Sequence, residues 1–186
     1  MRRDVTPLST DKDALLMARV AAGDLSAFEE LVVRNQSDAW ALAYRYLSDR
    51  VEAEDVVQEA FLKLLKSASR YQPKASFRTY FSRIVARLCM DFRSKKRPVY
   101  SNVLPESADP SDNPEAHLQN KEAGGELRRA LADLPPAQRM AFLLRQVEGF
   151  SYSEIADAMD ISPKAVDSLL QRARQSLSTR LHSLSK

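Results

Sequence analysis

At 186 residues, with 44% hydrophobic and 28% charged side chains, the chain has room for one large globular domain or two small ones. The single cysteine, Cys89, excludes an internal disulfide and a cysteine-based metal cluster, and no run approaches the ~18 apolar residues needed to span a bilayer. The formal net charge is only +3, but residues 11–60 hold eleven acids against five bases, whereas residues 70–97 hold nine bases and one acid, Asp91. Such separation suits one surface for a protein partner and another for a polyanion. Met1-Arg2-Arg3-Asp4 is not followed by an apolar signal core, so a cytoplasmic protein is expected.

Four glycines and apolar residues at helical spacing predict an all-α protein. Residues 1–10 read as a loose tail. Helical patterning begins near Asp11, breaks at Gly23-Asp24, and resumes in a long amphipathic run whose expected core includes Phe28, Leu31, Val32, Trp40, Leu42, Ala43 and Leu47. Asp49 and Glu52 have capping-box spacing for a third helix, with Val56, Val57, Ala60, Phe61, Leu64 and Leu65 on its apolar stripe. A connector broken by Pro73 leads to a basic helix from about Ser76 to Lys96. The composition then shifts: Pro98, Pro105, Pro110 and Pro114 interrupt an acidic stretch bearing Glu106, Asp109, Asp112 and Glu115. That is an interdomain linker by composition. The expected organisation is two small helical domains, 11–97 and 126–186, joined by a flexible acidic linker over 98–125.

The second domain carries the sharper local signal. Ser151 and Glu154 have capping-box spacing, and Ile155, Ala156 and Met159 form the inward face of a short helix. Ser162 is placed to cap the next helix, with Pro163 at its favoured first position. On that helix Val166, Leu169, Leu170, Ala173 and Leu177 share one stripe. A short capped helix, a tight turn and a second helix with a polar outer face make a helix-turn-helix, whose second helix enters the DNA major groove. Asp167, Ser168 and Gln171 are suited to base edges, and Lys164, Arg172 and Arg174 to phosphates.

In the first domain, Asp55, Gln58, Glu59 and Leu62 fall opposite the Val57–Phe61–Leu64 stripe, a mixed acidic and apolar patch that suits a basic protein partner. Farther on, Tyr71, Phe77, Tyr80 and Phe81 interleave with Arg70, Lys74, Arg78, Arg83 and Arg87. Cations that follow a phosphate backbone beside rings that accept unstacked bases are the chemistry of single-strand recognition. Phe77 and Phe81 lie four residues apart, so at least one is expected in the core and Tyr80 is the more exposed ring. Arg93, Lys95, Lys96 and Arg97 close the helix as a cluster for duplex phosphates.

Taken in order, Gly23-Asp24 with Ala27-Phe28, the string from Ala53 to Leu64, Phe77-Arg78-Thr79-Tyr80-Phe81, Leu134-Pro135 with Arg139 and Phe142, and Arg172-Ala173-Arg174 with Leu177 resemble the extracytoplasmic-function sigma factors. The resemblance spans roughly residues 14–97 and 126–181. It implies sigma region 2 followed by region 4, and promoter-directed transcription initiation rather than catalysis. Core RNA polymerase is the implied partner, through its beta-prime clamp helices and beta flap, with promoter DNA and an anti-sigma factor. Asp55, Gln58, Glu59 and Leu62 would dock on polymerase. The segment with Arg70, Lys74, Phe77, Arg78, Tyr80, Arg83, Arg87, Arg93, Lys95, Lys96 and Arg97 would melt and read a −10 element. Ser162, Lys164, Asp167, Ser168, Gln171, Arg172 and Arg174, with Arg139, would read a −35 element. No cofactor, metal or small-molecule substrate is implied.

The sequence departs from the family's habit at Tyr80, where tryptophan is common, and at Arg87, where asparagine is common. It departs again at Ala165-Val166-Asp167-Ser168-Leu169, in place of the frequent Thr-Val-Lys-Ser-Arg. Asp167 repels phosphate yet can accept from a cytosine amino group, so the −35 preference does not transfer. A free-standing helix-turn-helix regulator is the rival reading, and an adaptor without DNA a second. The first leaves the docking patch and the aromatic-basic helix as coincidences, whereas the second would use both faces without DNA.

Overall fold

Carboxylates set where the first helices begin. In the computed structural model, which describes residues 11–73, 75–95, 125 and 127–184 (the last four by backbone alone), Asp11 accepts from the Asp13 and Ala14 N–H groups and starts α1 (Lys12–Ala21). Gly23, at φ +93°, makes the turn out of α1 in a conformation that costs glycine little. Asp24 then caps α2 (Leu25–Leu47) by accepting from Ser26 and Ala27 N–H. The Ser26 hydroxyl, Arg19 and the Ala27 N–H hold the Asp24 carboxyl down to about 2. Asp49 caps α3 (Arg50–Ser67) through the Glu52 N–H at 2.9 Å.

A 3₁₀ turn at Ala68–Arg70 follows α3, and α4 spans Phe77–Lys95. The second oxygen of Asp11 accepts from the Phe77 N–H at 2.7 Å, so one carboxylate fixes the starts of both α1 and α4. Helical backbone returns at 127–132 (α5), then in α6 (Pro136–Gln146), α7 (Tyr152–Met159) and α8 (Pro163–Leu184). Every regular element among the described residues is helical. The 1–10 tail, Lys74, Lys96, Arg97 and the acidic linker up to residue 124 lie outside the described residues.

Two packing units result. Helices α1–α4 pack around Leu31, Leu42, Leu64 and Val85, and α6–α8 around Leu143, Leu144, Ile155 and Leu170, all fully buried. The expected stripes are largely those observed, although Phe28, Val32, Trp40, Leu65, Met159 and Leu169 are only partly covered. An aromatic cluster joins α3 to α4: the rings of Phe61 and Phe81 lie 4.6 Å apart, and Phe77 stacks on Phe81 at 5.8 Å. Cys89 is buried as a small hydrophobe, and burial pushes its thiol up to about 12.

The two units also touch each other. Helix α4 packs on α7, and α2 and α4 on α6. Among the described residues, no helix is long and apolar enough to cross a membrane, and no group of His, Cys, Asp and Glu is gathered to hold a metal ion.

Leu62 and Leu64 separate core from surface two residues apart on α3, with 48% of Leu62 exposed and Leu64 wholly buried. Leu64→Ala should cost about 2–5 kcal/mol of stability by leaving a cavity. Leu62→Ala should stay within about 0.5 kcal/mol of the parent. Urea unfolding of both variants checks the contrast.

Candidate nucleic-acid interface

The helix-turn-helix is built by its caps. Ser151 Oγ accepts from the Glu154 N–H while Glu154 accepts from the Ser151 N–H at 2.7 Å, so both halves of the capping box close at the start of α7. Burial would raise the Glu154 carboxyl, but the Ser151 N–H, the hydroxyls of Ser151 and Thr79, and Arg83 together hold it below its ordinary value. Asp160 ends α7 in the left-handed region at φ 56°, and Ser162 Oγ accepts from the Ala165 N–H to open α8. Val166, Leu170, Ala173 and Leu177 are buried beneath this turn. Lys164, Asp167, Gln171, Arg172 and Arg174 remain exposed on α8. Ser168 is half-buried and donates its hydroxyl to the Lys164 carbonyl, and the Ser162 hydroxyl is engaged as a cap.

The residues expected to dock a partner share one side of α3. Asp55, Gln58, Glu59 and Leu62 are all exposed, opposite the buried Val57, Phe61 and Leu64. Beside them a groove of about 510 Å³ opens between α2 and α3, lined by Trp40, Arg50, Glu54, Val57 and Gln58 among others. Trp40 lies on the stripe of α2 expected to face the core, yet it lines this groove. It is only half-buried and stacks on Tyr44 at 4.8 Å.

The aromatic-basic segment divides differently from the expectation. Phe77, expected on the single-strand surface, is wholly buried, because it lies on the same stripe as Phe81, Val85 and Cys89. Tyr80 is half-buried and so more exposed than Phe77 and Phe81. Its hydroxyl nevertheless lies 3.0 Å from Ser67 Oγ, and Tyr71 packs against its ring at 4.9 Å. Arg70, Arg93 and Lys95 are exposed.

Arg78, Arg83 and Arg87, in the first three turns of α4, face the second unit. Arg78 and Ser82 each donate to Glu148 Oε2 at 3.2 Å, and Arg83 pairs with Asp157 at 2.8 Å. Arg87 donates to the carbonyls of Asp157 and Ala158 at 2.7 and 3.2 Å, in the last turn of α7. Nothing in the sequence had singled out Glu148 or Asp157. The available signal was their charge: acids around the first helix of the helix-turn-helix, opposite in sign to α4.

Arg139 is buried rather than presented to DNA. It was expected beside DNA, but its residue is 3% exposed between the units. Its guanidinium donates to the Tyr46 carbonyl of α2 at 2.7 Å and to the Ala132 and Leu134 carbonyls of its own unit, and it sits 5.8 Å from the centre of the Tyr46 ring. A planar fork of donors can serve several carbonyls at once, which an ammonium cannot. Burial pushes the Arg139 pKa down.

A helix-turn-helix on one unit, with a basic helix and an exposed acidic face on the other, are the features of a DNA-binding transcription protein. Models of two families match the chain, Sigma-70 region 2 over residues 31–99 and Sigma-70, region 4 over residues 124–177. The RNA polymerase sigma-H factor of Pseudomonas aeruginosa is 30% identical, over 95% of this chain and 97% of its own length. The ECF RNA polymerase sigma-E factor of Escherichia coli K12 is 32% identical, over 92% and 95%. SigE of Mycolicibacterium smegmatis is 34% identical over 84% of the chain, which spans 63% of that relative's length. The fold resembles CnrH, solved with the cytosolic domain of CnrY, at a TM-score of 0.68 and 24% identity over 92% of this chain and 97% of that one. It also resembles the sigma factor RpoE of Bartonella quintana, solved with the anti-sigma factor NepR, at 0.65 and 24% over 83% and 96%. The chain belongs to the sigma-70 family of RNA polymerase sigma factors, in its extracytoplasmic-function branch. Its work is that of an alternative sigma factor, which directs polymerase to particular promoters and is not by itself a catalyst.

Because Arg139 bonds carbonyls of both units, Arg139→Lys should lower stability by about 1–3 kcal/mol, leaving buried carbonyls unmatched. Chemical denaturation of the full chain measures the loss.

Proposed function

We propose that the work is divided among three surfaces, with domain limits at 11–97 and 126–186 and a linker over 98–125. Asp55, Gln58, Glu59 and Leu62 dock on the clamp helices of core polymerase. Arg70, Lys74, Arg78, Tyr80, Arg83, Arg87 and the 93–97 cluster engage the −10 element, with cations along the phosphates. Lys164, Asp167, Ser168, Gln171, Arg172 and Arg174 read the −35 element, and the beta flap receives the second domain. Phe77 supports this surface from the core rather than touching DNA. The protein works in the cytoplasm, and a partner of the anti-sigma class holds it in reserve, as the two neighbouring structures with bound partners suggest.

One observation carries the reading. The acidic face of α3 and the polar face of α8 are both exposed on helices whose opposite sides are buried in the core. A sigma factor needs those two surfaces at once, whereas a free-standing regulator has no use for the first.

Retention on immobilised core polymerase tests the docking face. Asp55→Ala with Glu59→Ala should weaken it on the order of tenfold, as loss of a central charged anchor does. Undiminished retention would overturn the assignment. A separate outcome is expected for Arg93→Ala with Lys95→Ala. Core binding should persist, while the salt dependence of promoter binding should fall by about two in log–log slope, roughly one per lost phosphate contact.

A further inference from the structure

Asp11 and Phe77 stand 66 residues apart in the chain and meet through a single carboxylate. One oxygen, Oδ1, accepts from the Asp13 and Ala14 N–H groups at 3.1 and 3.3 Å and caps α1. The other, Oδ2, accepts at 2.7 Å from the N–H of Phe77, the first residue of α4. Amides of a first helical turn have no acceptor within their own helix. Ser76 Oγ supplies one to Thr79 at 3.1 Å, and Asp11 supplies the one for Phe77. A carboxylate there also suits the positive end of the α4 dipole. Helix α1 is itself held in place, because Asp13 pairs with Arg34 and accepts from Asn35 of α2. It packs on the 3₁₀ turn at Ala68–Arg70 as well. Both ends of the connector between α3 and α4 are therefore fastened to α1.

Arg78 and Tyr80 lie one and three residues beyond Phe77, so the first turn of α4 sets where both reach. The Tyr71 ring packs on Phe77 and Tyr80 at 6.4 and 4.9 Å, which ties the connector to that same turn. The buried Phe77 ring fixes the rotation of α4, and the Asp11 bond fixes where its first turn begins. We propose that Asp11 is a positioning residue for −10 opening, its carboxylate holding the first turn of α4 so that Arg78 and Tyr80 are set in advance for single-stranded DNA. The proposal rests on the reading of α4 as the −10 surface. Without the bond, the first turn frays, and its side chains have to be ordered at the moment DNA binds, which weakens the melted complex. The polymerase-facing residues Asp55, Gln58, Glu59 and Leu62 lie on α3, so docking is not expected to change with it.

Two substitutions separate the tasks of the carboxylate. Asparagine caps a helix about as well as aspartate, but its amide has one acceptor oxygen and cannot serve both helices. Asp11→Ser caps α1 through a hydroxyl too short to serve Phe77 as well. The full chain, bound to core RNA polymerase, receives a duplex promoter that the parent holoenzyme has selected from a random-sequence pool. Fluorescence of 2-aminopurine in the −10 segment follows opening. Both variants should slow opening at saturating DNA roughly tenfold, with core retention and half-saturating DNA concentration unchanged within about twofold, on the scale of one charge-assisted hydrogen bond. In Asp11→Ser, amide exchange at Phe77 should accelerate while exchange at Ala14 stays parental. A general folding defect would instead lower core retention in step with opening. Parental opening in both variants overturns the proposal, as does parallel loss of core retention or parental exchange at Phe77 in Asp11→Ser. Arg78→Ala with Tyr80→Ala should slow opening at least as much, and parental opening in that variant overturns the −10 reading beneath the proposal.

Discussion

Phe77, Phe81, Val85 and Cys89 recur every four residues along α4 and are all buried against α2 and α3, which fixes the rotation of that helix about its axis. Once this side is inward, Arg78, Arg83 and Arg87 have to point away from the first core. The contacts of Phe61 with Phe81 and of Phe81 with Phe77 hold the phase, and the Asp11 carboxylate on the Phe77 N–H holds the start of the helix. A rotation of a few tens of degrees would bury guanidinium groups without partners, a cost far larger than any ring contact recovers. The arginines of α4 thus inherit their placement from packing.

Arg139 answers the complementary question of how a cation can sit between two apolar units. Its fork reaches carbonyls on both sides, and the Tyr46 ring lies beside it. A buried charge served only by carbonyls stabilises little in itself, but breaking it is costly, because the donors and acceptors are then stranded. Such a group specifies how the units meet more than it strengthens them. Around it, the Arg83–Asp157 pair is more exposed and more easily exchanged for other anions, whereas the Glu148 carboxylate that Arg78 meets is itself buried.

The surfaces of a sigma factor are distributed so that their occupancy can differ. The outer face of α3 and the polar face of α8 remain available in the same arrangement in which the middle of α4 is covered. Physical separation on different helix faces lets each surface be occupied without the others.

Much of this was legible in the sequence because it is local. Ser151 with Glu154, Asp49 before Glu52, and Ser162-Pro163 set helix starts through contacts three residues long, and apolar spacing of three to four set which face of each helix would be inward. The helix-turn-helix and the acidic face of α3 followed from those same rules. What tertiary structure alone decided was pairing across long separations: Asp11 with Phe77, Arg78 with Glu148, Arg83 with Asp157, and Arg139 with Tyr46. The sequence offered Arg139 as one more surface cation and Phe77 as one more ring beside arginines. Only the meeting of distant helices determined that Arg139 would find carbonyls and Phe77 a core, because a side chain's partner depends on where the rest of the chain brings its groups, not on its neighbours in sequence.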